Sequence, residues 1–394
     1  MRYSTVTLLT LLLLVRASAV FAAADVLDCQ HKSLADAVRS GKQKDQTINF
    51  TGTCAGPIVI DTDGLTLNGV GTAIIDGDGE DAVRITGAAN VSLSNFEVQN
   101  GLNGIAAVNG AHFTASAVNS HDNAVFGITL QTSSSAVLSN VTTTRNGVHG
   151  LDLQTGSSAT VRDSFTTSNN RVFGIVINGS SITFARATVF ATNNTLGIQI
   201  ATNASAFIND SATTINVTNN LSTGLTIVSG GHMVSFGGTI NASGNPANGV
   251  SVNSKGGLDL DAGSTLNSFN NGNGVQVQQN SVMTVFNTPQ FSGAPGFSTV
   301  NAHNNTGIGV RVLSGAVLSL TNQARVLSMQ NGRGLVADNG AGVTLVNSTI
   351  TGNTLPDITL TFGTLADLQT LTFGTYTCDD TVRVRGSSGI TCPH

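Results

Sequence analysis

His121, Asp122, Arg145, His149, Asp152 and Arg171 carry the side chains best able to do chemistry in this chain. Charge is thin elsewhere: Asp, Glu, Lys and Arg make up 10% of 394 residues, and the formal net charge is −5. Two histidines and two arginines in so short a span are a real concentration. An imidazole can accept a proton from carbon, and a guanidinium can neutralise a carboxylate. β-Elimination or C5 epimerisation at a uronic acid needs both. On that reading His121 is the base and Arg145 the carboxylate clamp. The competing reading makes all six solvated turn residues, with His121 projecting outward. Glycoside hydrolysis needs two or three carboxylates around one bond, and Asp152 has no carboxylate neighbour on its strand face.

A second group, Asp61, Asp63, Asp76, Asp78, Glu80 and Asp81, is the densest acidic stretch. Carboxylate oxygens suit Ca2+, and Asp61, Asp63, Asp76 and Asp78 are its candidate ligands. No EF-hand pattern follows Asp76-Gly77-Asp78-Gly79, and the Ca2+-binding nonapeptide repeat is missing. Solvated turn carboxylates are the simpler expectation, and no cofactor is assigned.

A repeat must position these residues. Gly104, Gly127, Gly150, Gly174, Gly197, Gly224, Gly249, Gly274, Gly309 and Gly334 are each followed by an aliphatic residue, at spacings of 23, 23, 24, 23, 27, 25, 25, 35 and 25 residues. Four places earlier stand Asn100, Asn123, Asn146, Asn170, Asn193, Asn220, Asn245, Asn270 and Asn305, a column broken only by Gln330. Such self-similarity signals a solenoid. Period-2 strands such as Gly127-Ile128-Thr129-Leu130-Gln131, separated by Asn, Gly and Ser, make it a β-solenoid. Stacked coils pair each strand with its equivalent one coil on. Asparagines in one column can stack their amides into a hydrogen-bonded ladder, and they tolerate the left-handed backbone of a sharp turn.

The Gly-aliphatic strands and asparagine column resemble the right-handed parallel β-helix proteins of the pectin lyase-like type, over roughly residues 57–355. The resemblance implies an all-β fold, a single right-handed solenoid of about twelve coils at ~4.8 Å each. It implies little about activity, because that family includes lyases, polygalacturonases, epimerases, tailspikes and adhesins. Asn119-Ser120-His121-Asp122 is similar to the Asp-Pro-His-Asp motif of mannuronan epimerases, but the proline, the first aspartate and a nearby tyrosine are missing. The Asn-Thr-Asp, Asp-Asp and Arg-Ile-Lys motifs of polygalacturonases are absent.

The ends read differently from the middle. Residues 1–24 have the form of a signal peptide: Arg2, the apolar run Val6 to Val15, then Ala22-Ala23-Ala24. That run is too short to span a bilayer, so no transmembrane anchor is expected. Four cysteines allow three pairings, and neighbours give Cys29–Cys54 and Cys378–Cys392, disulfides suited to a periplasmic or secreted protein. Residues 25–56 read as an N-terminal cap with a short helix opening at Ser33-Leu34-Ala35-Asp36 and stopped by Gly41. Lys32, Lys42 and Lys44 sit in or beside it. Residues 57–355 carry the repeats, and 356–394 read as a C-terminal cap with a disulfide-closed hairpin. Asn287 to Ser298, holding Pro289, Gly293 and Pro295, is a loop thrown out of the 35-residue coil. Sparse, slightly acidic charge excludes a nucleic-acid footprint. The expectation is an exported, non-catalytic scaffold or polymer-binding module whose partner is an extracellular or envelope polysaccharide. The alternative is a uronan lyase or C5-epimerase working on the outer face.

Overall fold

The computed structural model describes residues 25–40, 45–288, 296–321 and 323–393. The signal-peptide segment, Gly41, Lys42, Lys44, Pro289, Gly293 and Pro295 lie outside them. Each coil is a long strand, a turn, a short strand and a second turn, as in His112–His121 followed by Phe126–Leu130. The short strands stack into one 14-stranded parallel sheet, from Ile58–Ile60 to Tyr376–Cys378. Longer strands, some split in two, form the other sheet, from Val26–Asp28 to Arg383–Arg385. Register is direct: Phe126 pairs with His149 and His149 with Phe173. Inward positions such as Ile128, Leu130, Leu151, Leu153, Ile175 and Ile177 are fully buried, each burial stabilising by roughly 1.5–3 kcal/mol.

The solenoid has about fourteen coils, two more than expected. The extra coils lie where a cap was anticipated. Ile358–Leu360 and Leu365–Phe373 pair in parallel with the coil before them, and Tyr376–Cys378 and Arg383–Arg385 pair in parallel with those strands. These are continuing coils, not a hairpin. Cys378–Cys392 then ties down the end, with Ile390 and Val382 buried beneath. At the other end the helix Leu34–Ser40 opens as expected: Asp36 N donates to Ser33 Oγ at 3.1 Å, and Leu34 and Val38 are buried. Cys29–Cys54 closes beside it.

The asparagine ladder forms, with a shift of one residue in three coils. Asn123, Asn146, Asn170, Asn194, Asn220, Asn245, Asn271, Asn305, Asn331 and Asn353 each donate from Nδ2 to the Oδ1 of the next, at 2.9–3.3 Å. Asp357 ends the series at 2.8 Å. Where two candidates are adjacent, at 193–194, 270–271 and 330–331, the second enters the ladder. The first adopts the left-handed backbone the turn requires: Asn193, Asn270 and Gln330 have φ of 57°, 56° and 56°. Asn100 does not join; it donates to Asp76 at 2.7 Å.

Candidate functional site

The residue before each ladder asparagine is left-handed, and in two successive coils that residue is charged: Asp122 at φ 56° and Arg145 at φ 55°. One coil apart in one column, they meet. Arg145 Nε donates to Asp122 Oδ1 at 2.8 Å and Nη2 to Oδ2 at 2.6 Å, a two-pronged pair that fits guanidinium to carboxylate. The hydrogen bond from Arg145 holds the Asp122 carboxyl down at about 2 and raises the guanidinium in turn.

His121 does not project outward. Its residue is 7% exposed, because carboxylates flank both ring nitrogens: Asp122 Oδ2 lies 2.7 Å from Nδ1 and Glu97 Oε2 lies 3.0 Å from Nε2. The proposed base is thus enclosed, and the proposed clamp already holds a carboxylate of its own chain.

His149 and Asp152 lie on the neighbouring short strand, His149–Leu153. His149 stacks between Phe126 and Phe173, with ring centroids 5.3 and 4.9 Å away. Burial pushes its imidazole down to about 4, and the Phe173 backbone N–H donates to Nδ1 at 3.3 Å, as suits a neutral ring. The His149 ring is stacked on Phe126 at 17° and tilted against Phe173 at 49°, so both of its own faces are engaged. Asp152 is completely buried. Thr129 Oγ1 and Gln154 Nε2 donate to its Oδ2 at 3.2 and 2.6 Å, while Oδ1 has no partner. Burial pushes this carboxyl up to about 6. No hydrogen bond or ion pair joins His149 to Asp152 among the described residues, and Arg171 makes no side-chain bond there. The six residues therefore divide into a charged corner, a buried strip and a lone arginine.

The acidic stretch does not converge either. Asp76 accepts from Gln99, Asn100 and the Asp78 N–H, Asp63 accepts from the Ala89 N–H, and Asp81 pairs with Arg84 at 2.9 Å. Among the described residues, no three His, Cys, Asp or Glu side chains are placed to hold a metal ion.

Two features escaped the sequence reading. One is a pair, His232 Nε2 to Asp259 Oδ2 at 3.0 Å, on adjacent coils. The other is a polar array on four long-sheet strands. Thr214, Thr239, Thr265 and Thr299 form one registered column; Asn216, Asn241, Asn267 and Asn301 form the next; Thr218, Ser243, Phe269 and His303 form the third. Aligning coils of unequal length on their Thr-x-Asn strands would have found it. In the middle column each amide donates to the one before, at 2.9, 2.8 and 2.8 Å. Phe269 and His303 stack at 5.1 Å with 1° between planes.

By fold and ladder, the chain is a parallel β-solenoid. Residues 58–245, just under half of the chain, match the family model described as right handed beta helix region. No curated protein sequence matches it. Similar solved structures include the A-module of an Azotobacter vinelandii mannuronan C-5 epimerase, AlgE4, at 13% identity and TM-score 0.47, covering 91% of this chain and 92% of that one. The Vag8–C1 inhibitor complex is similar at 11% identity and TM-score 0.42, over 88% and 94%. The catalytic unit of a Streptomyces thermodiastaticus GH87 α-1,3-glucanase is similar at 12% and 0.41, over 94% and 70%. Likeness this distant says nothing about activity. Among the described residues no helix is long and apolar enough to cross a membrane.

Proposed function

We propose that this is an exported β-helix that binds an extended polysaccharide along its long-strand sheet without cleaving it. The amide column Asn216–Asn241–Asn267–Asn301 carries the reading. Its side chains alternate with buried Ile215, Val217, Ile240, Ala242, Leu266 and Val300, so they face outward on a rigid sheet. Asn241 and Asn267 each use one N–H and one oxygen lone pair within the column, Asn216 only accepts there and donates to the Val189 carbonyl, and Asn301 only donates, leaving donor and acceptor capacity for a partner. Thr214, Thr239 and Thr265 flank it in register on one side, while Thr299 is buried with its hydroxyl engaged by the Phe297 carbonyl and Arg325; Thr218 and Ser243 flank it on the other. Over these four strands the columns hold no lysine, arginine or carboxylate, Arg325 entering the threonine column only on the next strand, as suits a polyhydroxylated chain recognised by hydrogen bonds. The enzyme reading has less support, since His121 and Arg145 already engage Glu97 and Asp122.

Co-sedimentation with a panel of insoluble polysaccharides tests this. At least one should bind the wild type, and N241D with N267D, which breaks the amide donor chain and adds charge, should weaken binding about tenfold. Retention of none, or equal retention of the double variant, would remove the reading. Release of unsaturated or epimerised sugars from pectate or alginate, lost in His121→Ala and Arg145→Ala, would restore the enzyme reading.

A further inference from the structure

Outward rings on this solenoid pair with one another where their columns allow it: His149 lies between Phe126 and Phe173, and Phe269 lies against His303. Phe190 and Phe207 do not. They are 40% and 38% exposed, and neither makes a ring contact among the described residues. A singly exposed apolar side chain is ordinary by itself, so the setting decides. Phe207 stands between Thr183 and Val234, on the short strand Ser205–Ile208. Phe190 stands at the head of the amide column.

Strand Ser181–Thr192 buries Val189 and Ala191 and turns Phe190 outward between them. In register, Phe190 follows Thr166 and precedes Asn216, the first of the four column asparagines. The amide donor series runs towards it, from Asn301 through Asn267 and Asn241 to Asn216. Asn216 Nδ2 then donates to the Val189 carbonyl at 3.2 Å, on the strand that carries the ring. Thr188 and Thr192 flank Phe190 along that strand. A phenyl group is longer than a threonine or asparagine side chain, so the outer part of the ring clears its column neighbours. One exposed aromatic ring is thus set in a field of hydroxyls and amides. Leaving it in water gains nothing. A pyranose can cover such a ring with an apolar face of C–H groups while its hydroxyls reach the polar groups around it.

We infer that Phe190 is the stacking platform of the polysaccharide site proposed above, and that the bound chain is neutral and β-linked. The inference rests on that reading and names its substrate class. In β-1,4-linked glucose or N-acetylglucosamine the ring substituents are equatorial, so each sugar keeps flat C–H faces and the chain stays extended. A uronan would instead bring carboxylates to an amide column that holds no cation to meet them.

Co-sedimentation with cellulose and chitin, joined by proton NMR with cellohexaose or chitohexaose, tests it. The wild type should be retained by at least one polymer. Phe190→Leu, apolar but without a ring, should weaken that binding about tenfold. Phe190→Tyr should restore it, and Phe207→Leu, which removes an equally exposed ring away from the amides, should leave it unchanged. Protons on one face of a sugar in the matching hexamer should move upfield under the ring current of the wild type and stay in place with Phe190→Leu. Full retention of Phe190→Leu, with N241D and N267D still defective, would overturn the platform and leave the amide site standing. Retention only on pectate, alginate or an α-linked glucan would overturn the substrate class, and retention on no polysaccharide would remove both readings.

Discussion

Asp122 and Asp152 belong to neighbouring coils, and each has a histidine close in sequence, His121 and His149. At the corner, Arg145 of the next coil stands in the same column as Asp122, so the carboxyl stays charged and is held near 2. On the strip, the column neighbours of Asp152 are Thr129 and Val176, and neither offers charge. Its carboxyl is covered and rises to about 6. The histidines follow suit: His121 faces two carboxylates, and His149 faces two phenyl rings. In a stacked solenoid the chemistry of a position is set by its column more than by its sequence neighbours. Six reactive side chains close in sequence therefore need not make one site.

Corner and strip share the turn between them, which the buried ladder holds. Its removal should give the largest effect. Asn146 donates to Ser120 O and Asn170 Oδ1 and accepts from Asn123 N and Nδ2. Asn146→Ala strands several of these buried groups, each at a cost of roughly 1–3 kcal/mol, for a loss of about 4 kcal/mol. Repeat proteins need not unfold in one step, so amide hydrogen exchange is the better measure. Protection should fall first in the coils around residues 120–175. Uniform loss along the rod, or under about 1 kcal/mol in total, would show that the core alone holds the turn.

The strip comes next, with opposite pH signatures from its two groups. The folded-state carboxyl of Asp152 lies at about 6 against an ordinary 3.8. The fold thus prefers the protonated form, and stability present below pH 3.8 is lost as pH rises through 6. A displacement of that size corresponds to roughly 3 kcal/mol. Asp152→Asn should therefore stabilise the protein by about 2–3 kcal/mol at pH 8 and by little at pH 3.5. His149 has the reverse sign: its imidazole lies at about 4 against 6.5, so stability present above pH 6.5 is lost as pH falls through 4. His149→Phe keeps the ring stack and should flatten the acid side of the profile. Denaturation profiles of the two variants with slopes of the same sign would break the contrast.

Period, strand alternation, both disulfides and the helix cap were legible in the sequence because each rests on local residue types. The last coils were not. The ladder ends at Asn353 and Asp357, so the sequence pattern stops while backbone pairing continues through Arg383–Arg385. Adjacent asparagines such as Asn193 and Asn194 were ambiguous because one turn needs a left-handed residue and an amide side by side. The exposure of His121 was misjudged because Glu97 reaches it from the coil before. Its charged neighbours stand out in a sequence so poor in charge, and in the fold they pair with one another. His232 and Asp259 went unpaired because coils of unequal length hide their register.

The smallest effect belongs to the Asp122–Arg145 pair, despite its short bonds. Its side chains are 41% and 57% exposed, so water and salt screen the attraction, and a loss of under about 1 kcal/mol is expected. Arg145→Asn is the appropriate variant, because asparagine tolerates the left-handed backbone at this position and alanine would add strain of its own. The Asp122 carboxyl is depressed to about 2 in the fold, so the stability it contributes is present above pH 3.8 and lost as pH falls through 2. In Arg145→Asn that acid-side loss should shrink, and the difference from wild type at pH 7 should fade as sodium chloride is raised. A loss of several kcal/mol at pH 7, insensitive to salt, would mean that the corner carries structural weight comparable to the ladder. Asp122 would then resemble Asp152 in being governed by burial, and the distinction between a screened pair in the turn column and a covered carboxyl on the strand would fail.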